Sequence, residues 1–218
     1  MKLEEMSAFF AARVDGYDEH MINDVGCAQC YEIIPDILPK DTSSLLDLGC
    51  GTGLELHWIF KRFPDISVTG IDLTKAMLDK LEEKFPGKNL RLINGDYFEV
   101  DFGTEQFDAV ISVETMHHFP KPQKVELYKK IHSCLKKGGV YIECDYMIPD
   151  EIENAQQIED YFFAEYKKLS GASAEGKYFH YDTPCKVSNQ LEMFAEAGFS
   201  QSEKIFSLEN TVIIKNVK

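Results

Sequence analysis

The sequence has no run of about 18 apolar residues, the length a helix needs to cross a bilayer, so no membrane span is expected. Its start, MKLEEMSAFF, lacks the basic flank and apolar stretch of a secretory signal, and a cytoplasmic location is the expectation. Positive charge is scarce: 23 Lys and Arg stand against 37 Asp and Glu, a formal net charge of -14. The bases are scattered, with Lys-Lys pairs starting at Lys129, Lys136 and Lys167 but no basic stripe. Phosphate backbones are bound by concentrated Lys and Arg, so nucleic acid is not an expected partner. Of the six cysteines, Cys27 and Cys30 form a lone C-x-x-C without the second pair that zinc-finger spacing requires. Reduced thiols fit better than a disulfide frame, and no metal is expected.

What is present is a chain of 218 residues with 44% hydrophobic content, enough for one α/β domain with a full core. From Ser44 onward, apolar runs alternate with helical patterns, which implies parallel strands joined by right-handed crossovers. The most informative stretch is LLDLGCGTG, Leu45 to Gly53. An apolar run breaks into three glycines and a helical pattern begins at Leu54, giving strand, tight turn and helix. Glycine tolerates positive φ and lets a ligand approach the backbone. A second run, Ile66 to Ile71, ends at Asp72, whose carboxylate would sit at the neighbouring strand's carboxyl end, where open α/β sheets bind ligands. There it can accept hydrogen bonds from both hydroxyls of a ribose.

The spacing G-x-G-x-G places Leu54 where a dinucleotide fingerprint wants a third small residue. Asp47, just before the loop, would repel a pyrophosphate but could accept from a cationic amino group or from the loop itself. Both features favour a nucleoside with a zwitterionic amino-acid tail over a dinucleotide.

These residues resemble the first motif of class I S-adenosylmethionine-dependent methyltransferases, with DLGCGTG intact from Asp47 to Gly53. The resemblance implies a doubly wound, seven-stranded, mostly parallel sheet with an antiparallel last strand, an N-terminal helical lid and a helical insertion after the fifth strand. The chain then reads as a single domain over 1–218: lid 1–40, cofactor-binding core 41–146, substrate-lid insertion 147–187, and a C-terminal helix and hairpin 188–218. The implied cofactor is S-adenosylmethionine, released as S-adenosylhomocysteine. Its expected contacts are Asp47, Gly49, Cys50, Gly51, Gly53, Asp72 and Leu73 around the loop. Asp96 and Tyr97 are expected at the adenine, Glu114 and Met116 after the fourth strand, and Tyr17 and Arg13 from the leading segment.

The leading segment follows a helical period through Phe10, Val14, Tyr17 and Met21, and again through Tyr31, Ile34 and Leu38. Thr74 can cap the helix over Met77, Leu78, Leu81 and Phe85. FDAVISV, Phe107 to Val113, reads as a central strand running into Glu114, Thr115, Met116, His117 and His118. His117 is the histidine expected to face the substrate, as a general base or as a hydrogen-bond donor that shapes the pocket. The helix through Val125, Tyr128, Ile131 and Leu135 should end at Gly138 and Gly139, with Val140 to Cys144 as the fifth strand. A long helix should start at Pro149 and Asp150 and break at SGASAEG. Tyr178, Phe179, His180 and Tyr181 follow, an aromatic density suited to a small, partly apolar or cationic substrate. His180 and Tyr181 join His117 as catalytic candidates. Ser188 can cap a last helix before the terminal hairpin.

Methyl transfer from a sulfonium is an in-line displacement with a neutral leaving group, so the chain need only align the partners and exclude water. The expected activity is methyl transfer to a small-molecule acceptor by a monomer or homodimer. A protein that binds the cofactor without methyl transfer, or uses it for another reaction, stays open beside it. A transfer RNA or protein acceptor ranks behind both.

Overall fold

In the computed structural model, which describes residues 4–23, 28–170 and 178–218, the alternation from Ser44 becomes one seven-stranded sheet in the order β3-β2-β1-β4-β5-β7-β6. The strands are β1 Ser44–Leu48, β2 Ser67–Asp72, β3 Leu90–Asn94, β4 Phe107–Val113, β5 Leu135–Tyr146, β6 Gln201–Leu208 and β7 Thr211–Val217. β1 to β5 run parallel, and β7 lies antiparallel between β5 and β6. The order reverses at β1 and β4, whose carboxyl ends therefore open a crevice at the topological switch.

The helices along the core are α4 Leu54–Arg62, α5 Lys75–Lys84, α6 Lys121–Cys134 and α8 Val187–Ala197. Strand alternation divides the burial between two faces. Leu46, Leu48 and Val110 pack with Tyr128, Ile131 and Phe194 on one side, while Leu45, Ala109 and Ile111 pack with Leu56, Ile59 and Ile34 on the other. The first side also buries Glu143, which accepts from Tyr128 and Tyr141 hydroxyls at 2.8 and 2.7 Å and from Gln190 at 2.8 Å. These donors satisfy a carboxyl that burial pushes up to about 7.

The leading segment is broken rather than continuous. It forms α1 Met6–Ala11, α2 Tyr17–Asn23 and α3 Ala28–Ile37, and Gly16 at φ 82° turns the chain between the first two. α3 packs Cys30, Tyr31 and Ile34 against the second face of the sheet. Its Cys30 is fully buried, while Cys27 lies outside the described residues.

Several boundaries differ from the sequence reading. α6 stops at Cys134 and β5 begins at once, because Leu135 already pairs with Phe107 and the two glycines fall inside the strand's bulged start. Residues 149–154 form turns, and the helix after β5 is α7 Ala155–Ser170; the rest of the SGASAEG run, from Gly171, lies outside the described residues. Ser188 does not cap α8. Its amide and hydroxyl instead donate to Asp150 at 2.9 and 2.6 Å, tying the turn after β5 to the helix.

The segment 178–183 lies over the carboxyl edge of the sheet. Met6 N donates to Tyr178 O at 2.9 Å and His180 N to Glu4 O at 3.0 Å, so α1 and this segment hold one another. Thr183 then anchors the segment to the sheet end, its amide and hydroxyl donating to the His117 carbonyl at 2.5 and 2.9 Å.

Candidate active site

The glycine turn is built by two constraints. Gly49, at φ 71°, would place a Cβ 2.6 Å from Thr115 Oγ1, so no larger residue fits between the ends of β1 and β4. Gly51, at φ 48°, has only the Gly49 carbonyl within 4 Å of the place its Cβ would take, which leaves its backbone open to the crevice. Asp72 ties the turn to the next strand, accepting from Gly51 N at 2.9 Å and from Thr74 N at 2.7 Å. The Thr74 side chain, expected to cap α5, makes no capping hydrogen bond, and Asp72 instead holds the Thr74 amide just before the helix. Burial raises the Asp72 pKa, against the pull of those two amides.

A partly open cleft lies above the turn. Its lining includes Gly49, Gly51, Asp72, Leu73, Asp96, Tyr97, Glu114 and Tyr17, eight of the residues expected from sequence. Asp96 Oδ1 accepts from Phe98 N at 2.8 Å, which fixes the turn after β3. The Tyr97 hydroxyl pairs with Thr115 Oγ1 at 3.1 Å, and burial pushes its pKa well up.

Five expected cofactor contacts do not line this cleft. Asp47 is buried behind the loop facing Glu55 of α4, and burial together with the Glu55 charge raises its pKa well above the carboxylate range. Cys50 turns its sulfur toward Gly70, where an added Cβ would come within 2.8 Å of it. Gly53 starts α4, and a Cβ there would press on Leu81 and Leu56. Met116 is fully buried in the core. Arg13 pairs with Glu4 at 3.3 Å, donates to Phe9 O at 2.9 Å and covers the Phe9 ring.

A second, more open cavity adjoins the first. Phe9, Phe10, Arg13, Tyr17, Glu114, His117, His118, His180 and Asp182 are among its walls, and Phe10, Tyr17, Glu114 and His118 line both spaces. Glu114 holds a φ of 51°, left-handed backbone that costs a residue with a Cβ on the order of 1 kcal/mol. Its amide donates to Cys144 O at 2.8 Å, which fixes the turn that carries it.

His117 leaves that turn with its Nδ1 2.5 Å from Asp145 Oδ1, and its amide donates to the other Asp145 oxygen at 3.0 Å. Burial opposes its charged form, but the Asp145 carboxylate outweighs it and pushes the pKa up to about 9. With Asp145 beside it, the charged form of His117 is the favoured one at neutral pH. His118 goes the other way: burial and the neighbouring His117 cation bring it down to about 4. Asp182, 3.3 Å from His118 Nδ1 and 3.6 Å from His117 Nε2, is held near 2 by those histidines despite its burial. Burial and the Asp145 charge raise Glu114 to about 7.

His180 stacks on Phe9 with ring centroids 3.7 Å apart. Tyr181 lines neither space; its ring lies 6.4 Å from that of Tyr166 of α7. Sequence reasoning missed Asp145 and the pairing of His118 with Asp182. Asp145 had a usable signal, since it is an acid at the carboxyl end of the strand beside β4. Asp182 had none, because 64 residues separate it from His118.

The family model described as "Methyltransferase domain" matches residues 45–139. Over 188 residues the chain is 29% identical to the carboxy-S-adenosyl-L-methionine synthase of Campylobacter fetus subsp. fetus, covering 82% of this chain and 80% of that protein. It is 28% identical over 164 residues to sterol 24-C-methyltransferase of Aspergillus fumigatus, with 73% of this chain and 40% of that protein covered. Among solved structures, human N-acetylserotonin methyltransferase in complex with S-adenosylmethionine superposes with a TM-score of 0.70 at 14% identity. That likeness is one of fold; it covers 97% of this chain, which spans 56% of the human protein. The glycine motif, the sheet order and the family-model match over residues 45–139 are those of class I S-adenosylmethionine-dependent methyltransferases, whose cofactor is S-adenosylmethionine.

Proposed function

We propose that the chain transfers the methyl group of S-adenosylmethionine to a small-molecule acceptor bound in the second cavity. The observation that carries this reading is the shared wall: Phe10, Tyr17, Glu114 and His118 face both spaces, so ligands in the two would meet there. In this reading Asp72 accepts from the ribose hydroxyls with the lone pairs its two amide contacts leave. Asp96 and the Tyr97 amide flank the adenine, and the Gly49 and Gly51 backbone passes the amino-acid tail.

The cofactor supplies an activated methyl on a sulfonium. The residues here orient the acceptor and exclude water, which is where most of the rate in such a displacement originates. Phe9, Phe10 and Tyr17 supply apolar and aromatic surface, while Asp182 supplies negative charge beside the histidines. An acceptor with an amine or another cationic group on an apolar frame matches this lining. The acidic balance of the chain favours a small acceptor over a nucleic acid.

A second reading, use of the cofactor for another reaction, is favoured by the match to carboxy-S-adenosyl-L-methionine synthase over most of both chains. Mass spectrometry of the nucleoside products after incubation with a metabolite panel separates the two. S-adenosylhomocysteine formed in step with a methylated acceptor supports methyl transfer. A heavier derivative that retains the sulfonium supports the second reading and overturns the first.

A further inference from the structure

His117, His118 and Asp182 converge from two segments far apart in sequence, and their facing atoms are spaced like ligands rather than like hydrogen-bonding partners. His118 Nδ1 lies 3.3 Å from Asp182 Oδ1, yet both atoms are buried and neither makes a hydrogen bond among the described residues. His118 as a whole is 5% exposed. His117 Nε2 lies 3.6 Å from the same carboxylate oxygen, and one donor atom from each residue falls within 4.8 Å of the others. For ligands about 2.0–2.1 Å from a tetrahedral ion, the edge between neighbouring donors is about 3.3 Å.

We infer that His117 Nε2, His118 Nδ1 and Asp182 Oδ1 form a binding site for one divalent transition cation of the zinc class. Two imidazoles and one carboxylate are a borderline donor set. It suits zinc, iron, cobalt or nickel better than magnesium or calcium, which take oxygen ligands. The supporting shell is already in place. Asp145 engages His117 Nδ1 at 2.5 Å, which turns Nε2 toward Asp182, and the His117 and Tyr146 amides hold Asp145 at 3.0 and 2.8 Å. A carboxylate behind a ligating histidine is the usual second shell of such sites. On the other side, Thr183 bonds to the His117 carbonyl and so fixes the residue next to Asp182 over the histidines. The three residues line the second cavity, which leaves a further coordination position facing that space. Glu114, His117 and Asp145 also cluster, but that set would need His117 Nδ1, the atom Asp145 already occupies. The inference holds whichever reaction the cofactor serves.

The test uses the full chain, freed of any tag, stripped with a chelator and dialysed against zinc. Elemental analysis should find about one zinc per chain, and zinc X-ray absorption should show imidazole and oxygen scattering without sulfur. Cobalt(II) should give the visible bands of a tetrahedral site with no thiolate charge transfer. Asp182→Asn and His118→Ala should each weaken binding at least about tenfold, and Asp145→Asn by about 10- to 100-fold through the second shell. Far-ultraviolet circular dichroism checks that these variants are folded. The X-ray absorption result rests on the wild type alone, so it decides even if a variant fails to fold. No zinc on the wild type, a sulfur shell, or undiminished binding in folded Asp182→Asn and His118→Ala would each overturn the site.

Discussion

The two halves of the ligand edge treat buried acid in opposite ways. Around the glycine turn, Asp47, Glu55 and Asp72 are buried among amides and one another, and burial raises all three. A nearby cation, Lys84, bonds Asp18 at 2.6 Å. Around the second cavity, Asp145 and Asp182 face histidines, and their pKa values go down. The first half is a backbone cradle in which Asp72 orients two N–H groups. The second sets Asp145 and Asp182 against His117, while Glu114, close to Asp145, is raised to about 7. A neutral, hydrogen-bonding ribose fits the former; an acceptor or ion that responds to charge fits the latter.

Removing the acid that serves each half should break the contrast most sharply. Asp72→Ala deletes the acceptor of two loop amides and is expected to weaken S-adenosylhomocysteine binding by about 100-fold, from about 2–3 kcal/mol of lost charged hydrogen bonds. Asp145→Asn, which touches only the second half, should leave that affinity within about threefold by the same hydrogen-bond reasoning. Isothermal calorimetry on both variants measures the difference, and equal losses would mean the two halves are one unit.

Gly49→Ala tests the cradle itself. Its Cβ would sit 2.6 Å from Thr115 Oγ1 on left-handed backbone. A cost of about 1–3 kcal/mol follows from overpacking, which in a chain of this size lowers Tm by roughly 2–12 °C. Scanning calorimetry would show it, and an unchanged Tm would mean the turn has slack.

The uncompensated acids also predict a pH signature. Asp47 and Glu55 both have folded pKa values above the ordinary carboxylate range, so the fold binds protons more tightly than the unfolded chain does. Their contribution is fully present below the ordinary carboxylate pKa and is lost as pH rises through the raised values. Asp47→Asn removes one of the two charges, and its Tm should fall less than that of the wild type as pH rises above the ordinary carboxylate pKa. Parallel Tm curves for the two proteins would refute the shared burial. The smallest expected effect is that of Asp18→Asn, which weakens a half-exposed ion pair with Lys84. Such pairs contribute under about 1 kcal/mol, so the change should appear as a Tm shift of no more than roughly 2–4 °C.

The same contrast explains what could be read from sequence. The cradle is local: the loop, Asp72, Leu73, Asp96 and Tyr97 follow consecutive strands, and a parallel sheet brings successive strand ends together by rule. Asp47 was legible as an acid before the loop, but its direction was not. Strand alternation sends it to the α4 face while the neighbouring glycines face the crevice. The second half gathers α1, the turn after β4, the end of β5 and the segment at 178–183, and no spacing in one sequence encodes such meetings. His117 stood out by residue type. Its protonation did not, because it depends on Asp145, 28 residues away. The breaks in the leading segment escaped the periodicity because Tyr17 and Met21 keep the helical phase across the Gly16 turn.

α2 has a further consequence. It is seven residues long, places Tyr17 on the wall of both spaces, and sends Asp18 Oδ1 to Thr52 Oγ1 in the glycine turn at 2.5 Å and Asp18 Oδ2 to Lys84 on α5. A ligand that displaces this helix from either side therefore acts on the other ligand too, and by thermodynamic reciprocity each alters the other's affinity by the same factor.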